Sequence, residues 1–146
     1  MTLPTPEPGL VIRYAFLWSH EAALGRDEAS KDRPCAVLLS ATTQDRQMVV
    51  TVLPVTHRQP QDPDLSVELP AKTRRRLGLD GGPAWIILNE ANRFEWPGPD
   101  LRAVPGDAAG SAVYGLLPAA LYEVVREKWL AAFDARKARQ TIRSDQ

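Results

Sequence analysis

Asp27-Glu28-Ala29-Ser30-Lys31-Asp32-Arg33-Pro34-Cys35-Ala36-Val37-Leu38-Leu39-Ser40 is the stretch on which the fold turns. Charges crowd its first half, and its second half is an apolar run ending in a polar residue. Proline has no amide hydrogen and a fixed φ, so Pro34 suits the first residue of a strand or a sheet edge. It also drives Arg33 into an extended conformation. The reading is a polar loop that ends by holding one guanidinium at the mouth of a buried strand. A planar, permanently charged fork held there suits a phosphate or a carboxylate. Glu28, earlier on the same loop, could fold back towards it.

Downstream, Thr42 to Arg46 is a turn-like polar cluster, and Gln47 to Thr56 is a strand rich in Val and Thr with Pro54 near its end. Two strands joined by so short a turn predict an antiparallel hairpin. Upstream, Leu10, Ile12, Tyr14, Phe16 and Trp18 recur at period two, a strand signal. The opposite face carries Arg13 but also Val11 and Leu17, so it too is expected to be partly covered. Residues 1–8 read as a lead-in interrupted by Pro4, Pro6 and Pro8, and Ser19 to Asp32 as a polar connection pivoting on Gly25.

Beyond the hairpin, His57 to Pro63 reads as a loop and Leu65 to Leu69 as a short strand. Pro70 to Leu77 reads as a turn or two of helix stopped by Gly78. Ala84 to Leu88 is a fifth strand, which Arg93 to Trp96 extend after a kink, and Val113 to Leu117 is a last one. Pro118 opens the one long helix, with an apolar stripe through Leu121, Val124, Val125, Ala132 and Phe133. From Asp134 the chain is polar and is expected to fray. The class is mainly β with some helix (α+β): a small, strongly bent antiparallel sheet or barrel capped by an amphipathic C-terminal helix. One domain is expected over 9–133, with a polar tail over 134–146.

The 146 residues suffice for one core. Eighteen basic and eighteen acidic side chains cancel, which argues against a polybasic coat for nucleic acid or membrane but leaves room for a local anion site. One cysteine and two histidines exclude an internal disulfide and make a zinc cage improbable. No apolar run reaches the length of a membrane span. The opening residues lack the charged-then-apolar pattern of a secretory leader, so a cytoplasmic protein without cofactor or metal is expected.

Several pieces resemble the MazF/PemK-like toxins of bacterial toxin–antitoxin pairs. They are Gly9-Leu10-Val11-Ile12, Glu28-x4-Arg33-Pro34 with its strand, Leu53-Pro54-Val55-Thr56, Ile87 through Arg93, and Gly115-Leu116-Leu117-Pro118 before the last helix. The resemblance spans roughly residues 9 to 133. It implies an SH3-like barrel, a homodimer, inhibition by a cognate antitoxin, and metal-independent cleavage of single-stranded RNA by attack of the RNA 2′-hydroxyl. It assigns Arg33 to the phosphate, Glu28 to a nearby carboxylate and Thr56 to a phosphate-binding hydroxyl. The chain departs from the pattern at Leu88, where one branch has an arginine, so that branch's acid–base pair survives here only as Glu90. It also departs at His57 and at the Trp96-Pro97-Gly98-Pro99 insertion. Two other readings stand beside the nuclease: a non-catalytic gyrase-binding toxin of the CcdB type, and a repurposed family member without activity.

Each candidate has a plainer reading. Arg33 could pair with a loop carboxylate, and Thr56 could be a turn hydroxyl bonding the backbone. His57 invites a general-base role, although a lone histidine in a polar loop is more often surface. Lys72-Thr73-Arg74-Arg75-Arg76 could follow an RNA backbone or be a solvated helix face. Trp96 could stack a base or pin its own loop, whereas Trp85 suits a core. The expected RNA-contacting set is His57, Arg74, Arg75, Glu90, Arg93 and Trp96, around Arg33, Glu28 and Thr56.

Overall fold

A computed structural model describes residues 4–25, 31–79 and 81–143. The first strand, β1 (Leu10–Tyr14), is followed by a single helical turn, α1 (Ser19–Ala23). The hairpin is β2 (Arg33–Thr42) and β3 (Met48–Thr56). Then come β4 (Ser66–Glu68), α2 (Ala71–Leu77), β5 (Trp85–Ile87) and β6 (Glu90–Glu95). The chain continues with β7 (Val113–Leu116), α3 (Ala119–Asp134) and β8 (Arg139–Ile142). The strands form one mainly antiparallel sheet in the order β4-β5-β3-β2-β1-β7. β6 joins it alongside β3, and β8 runs parallel to β6.

The alternation in β1 does what period two requires. Leu10, Ile12, Tyr14 and Phe16 enter one core with Cys35, Val37, Val50, Val52 and Phe94. Val11 faces the opposite core with Ala36, Leu38, Leu53 and Val55. The three central strands are therefore buried on both faces, as near-continuous apolar runs demand. The second core is closed by α3, whose Val125, Trp129 and Ala132 are buried at helical spacing. Tyr122 on the same helix donates to the Leu38 carbonyl at 2.7 Å.

β3 changes partner along its outer edge. Val49 to Val52 pair with β6, and Val55 and Thr56 pair with β5. Pro54, which has no amide hydrogen to donate, sits at that hand-over. Arg93 to Trp96 therefore do not prolong β5. Arg93 to Glu95 belong to a separate strand that runs along the other end of β3, and the Trp96 amide just beyond it donates to the Met48 carbonyl. The reason is the long hairpin, which offers two lengths of free edge, whereas a sequence window shows only two nearby apolar runs.

α2 behaves as its sequence reads. Pro70 precedes it, Gly78 ends it at φ 73°, and the Leu79 amide returns to the Arg74 carbonyl at 2.9 Å. This is the left-handed stop that glycine makes cheap. α2 also bridges to the far end of the sheet order: Arg76 donates to the Leu116 carbonyl at 2.6 Å. At Gly115, φ is +145° and a Cβ would lie 2.9 Å from the Leu77 side chain, so a bare backbone is needed for α2 to seat on β7.

Residues 135–143 do not fray. Arg136 turns the chain at φ 59°, β8 pairs with Glu90 to Arg93, and Arg143 is buried. Arg143 donates to the Ala15 carbonyl at 2.7 Å and to Asn92 Oδ1 at 3.1 Å, and meets Asp100 at 3.1 Å. A polar strand is held here by one charged anchor, which leaves no hydrophobic period to read. The Ser19 to Asp32 connection likewise contains α1, too short to show a helical period.

Candidate functional site

The site lies where β2 starts and β3 ends. The register pairs Cys35 with Pro54, so two residues outward Arg33 lies across from Thr56 on the same sheet face. On the other side of β2, Arg13 pairs with Pro34 and Tyr14 with Arg33. Strand pairing thus sets Arg33 and Thr56 on one face and Arg13 on the other, and a cavity at this end of the sheet has all three in its wall.

Arg33 is only 8% exposed. Its guanidinium carbon sits 5.1 Å from the centre of the Trp18 ring, a cation–π placement. Its buried Nε has no hydrogen-bond partner among the described residues. Burial holds its pKa below the usual arginine value, and proximity to Cys35 and Glu21 opposes that shift. A permanently charged group kept out of water without a full set of acceptors costs stability. Cys35, one step into the strand, is fully buried; burial pushes its thiol up, and the Arg33 and Arg143 charges only partly offset this. It is an inert core thiol.

Two adjoining cavities open here and share Lys31, Arg33, Thr56 and Arg58. The first, of about 360 Å³, also has Arg13, Asp32, His57 and Tyr114 in its wall. The second, of about 510 Å³, has Trp18, Glu21, Gln59, Gln61 and Ile87. Among the described residues of the first cavity, Arg13, Lys31, Arg33 and Arg58 face a single carboxylate, Asp32, which lies 3.7 Å from Arg102. Four of the chain's eighteen basic side chains thus meet in one cleft, which favours an anion.

Hydrogen bonds set what the neutral groups can do. Arg13 donates to the Tyr114 hydroxyl at 3.0 Å. Thr56 Oγ1 accepts from the Arg58 amide at 3.1 Å; it is the turn hydroxyl of the plainer reading, with its own proton still free to donate outward. His57 Nδ1 lies 2.9 Å from the Pro83 carbonyl. A carbonyl only accepts, so Nδ1 carries the hydrogen and Nε2 of the neutral ring keeps its lone pair.

The aromatic support of Arg33 is clamped on both sides. Leu17 exchanges two hydrogen bonds with the fully buried Asn92, amide to Oδ1 at 2.8 Å and Nδ2 to carbonyl at 2.7 Å. Ser19 gives its amide to Glu90 Oε1 at 3.0 Å and its hydroxyl to Oε2 at 2.6 Å. Trp18 stands between these two clamps, both of which come from β6.

Of the residues expected from sequence, Arg33, Thr56 and His57 come together, and Glu28 lies outside the described residues. The others stand elsewhere. Glu90 is engaged by Ser19. Arg74 donates to the Leu69 carbonyl at 2.9 Å, and Arg75 is exposed on α2. Arg93 is exposed on β6. Trp96 packs against Phe94 with ring centres 6.2 Å apart and lines a third cavity with Pro4, Arg46 and Glu95. That cavity shares no wall residue with the other two. Arg13, Trp18, Glu21, Arg58, Gln59, Gln61 and Tyr114 were not singled out from the sequence. Two of them left a trace: Arg13 as the charge interrupting the second face of the first strand, and Trp18 as the last member of its period-two run.

Among the described residues, no group of three or more His, Cys, Asp or Glu side chains is placed to hold a metal ion. Likewise no helix among them is long and apolar enough to cross a membrane. The chain matches no protein-family model, no curated protein and no solved structure.

Proposed function

We propose that the cleft binds single-stranded RNA and cleaves it by attack of a 2′-hydroxyl on the adjacent phosphate. The observation that carries this reading is Arg33: a buried guanidinium, stacked on a clamped tryptophan, whose Nε has no partner among the described residues and which shares the wall of a cationic cleft with the Thr56 hydroxyl. In the proposed reaction the 2′-oxygen bonds to phosphorus and the bond to the 5′-oxygen breaks, giving a cyclic phosphate and a 5′-hydroxyl. Arg33 neutralises the non-bridging oxygens, and Thr56 donates to one of them. His57 Nε2 accepts the 2′-hydroxyl proton, water gives a proton to the leaving 5′-oxygen, and the hydroxide so formed takes the proton back from the imidazolium. The resemblance to MazF/PemK-like toxins supports the same assignment for Arg33 and Thr56. It extends the proposal to an SH3-like closure of the sheet, an antitoxin whose acidic segment occupies the cleft, and a homodimer. Leu116, Val124, Leu130 and Phe133, each more than a third exposed, supply apolar surface for that pairing.

The test is to assay the species isolated by size-exclusion chromatography with light scattering, using single-stranded RNA in excess EDTA. The expected result is cleavage by a species of about twice the 16.1 kDa chain mass. Activity that vanishes with chelator and returns with magnesium would point to another nuclease class. Full activity at the single-chain mass would remove the dimer.

A further inference from the structure

The two cavities that meet at Arg33 differ in chemistry, and that difference has a consequence if the cleft takes RNA. The 360 Å³ cavity adds Arg13 to the three cations the two cavities share and, among the described residues, has no side-chain amide in its wall. The 510 Å³ cavity brings Gln59 and Gln61 to the same space as Trp18, Pro60 and Ile87, with the buried carboxylate of Glu21 in the wall. Its volume is in the range of pockets that hold small organic ligands. An indole and two aliphatic surfaces offer a flat ring something to lie against, and a primary amide presents a donor and an acceptor in one plane.

We infer that the 510 Å³ cavity is a nucleobase subsite in which Gln59 and Gln61 read the edge of the base next to the scissile phosphate. The proposal rests on the RNA reading of the Arg33 cleft and adds which side of it carries sequence preference. The shared wall of Lys31, Arg33, Thr56 and Arg58 takes the phosphate between the two cavities. The Arg13 side then follows the backbone without regard to sequence, because charge on a phosphate carries no base information. The loop bearing both glutamines carries a local turn at each end. Its first residues are tied by the Thr56 hydroxyl to the Arg58 amide, and its far end by Asp62 to the Asp64 amide at 2.9 Å. Both glutamines are exposed, so replacing them removes hydrogen-bonding groups without opening a core.

The experiment uses short single-stranded RNAs identical except for one position, carrying each of the four bases beside the cleaved bond. Binding is followed by fluorescence anisotropy and cleavage by gel. For the wild type the account expects at least a tenfold spread in kcat/KM across the four bases. For Gln59→Leu with Gln61→Leu it expects a spread below about threefold, reached by loss on the best base, with the poorest base cut as before. A wild-type spread that survives both substitutions, or no spread at all, overturns the subsite and leaves the nuclease reading standing. Binding without cleavage removes the nuclease reading, and the spread in affinity across the same four RNAs then decides the subsite. Failure to bind any of the RNAs overturns both.

Discussion

Arg33→Met is expected to lower kcat/KM on single-stranded RNA by about 10²–10³, the usual cost of losing a charge that stabilises a developing oxyanion. Thermal stability is expected to hold or rise. The two outcomes share a cause. The guanidinium is buried against Trp18 with an Nε that bonds to nothing among the described residues. Methionine keeps a comparable apolar stem and removes a desolvated charge short of acceptors, which offsets the loss of a cation near the buried Glu21 carboxylate. Arg33→Lys keeps the charge but loses the planar fork, and should fall between wild type and Arg33→Met in rate. Paired kinetics and thermal melts check this. Undiminished cleavage by Arg33→Met would remove Arg33 from the reaction. A melting temperature that drops steeply would make it a structural residue.

The second large effect is expected away from the cleft. Asn92 is fully buried and satisfies both polar groups of the Leu17 backbone. Asn92→Ala leaves an amide and a carbonyl without partners inside the protein, at about 1–3 kcal/mol each. It also takes one acceptor from the buried Arg143. A loss of about 4 kcal/mol should lower the melting temperature by roughly 10 °C, a large share of the ~5–15 kcal/mol by which a domain is stable. Circular dichroism melts measure it. A shift of less than about 2 °C would mean that Leu17 and the strand beneath it are held by something else. Because Leu17 precedes Trp18, the variant should also lose cleavage at temperatures well below its melt, through the looser ring under Arg33.

These two residues mark what was legible in the sequence. Arg33 was legible because Pro34 fixes its backbone and an apolar strand follows, so a local window already places a charge at a strand mouth. The period of two in β1, the hairpin, the start and stop of α2 and the proline before α3 were legible for the same reason: each is set by neighbours in the chain. Asn92 was not. Its role exists only because β6 abandons β5 and lies along β3, which brings it to Leu17 across 75 residues of chain. Glu90 reads as a site carboxylate from its neighbours, yet across the same gap both its oxygens are taken by Ser19. Arg13 and Tyr114, whose side chains bond to each other, come from strands on either side of one pairing and meet only through register. Arg143 shows the limit most plainly: a polar terminal strand has no hydrophobic period, and its anchor is a charge with partners at Ala15, Asn92 and Asp100.

The central claim is that the Arg33–Thr56 cleft promotes attack by the RNA's own 2′-hydroxyl. The most direct measurement compares an RNA oligonucleotide with the same molecule carrying one 2′-deoxy nucleotide immediately 5′ of the cleaved bond. Products are resolved by mass in the presence of EDTA. The RNA should yield a 2′,3′-cyclic phosphate and a 5′-hydroxyl, and the single missing oxygen should abolish cleavage at that bond. Cleavage of the deoxy-substituted strand at a comparable rate, or products ending in a 5′-phosphate, would contradict it.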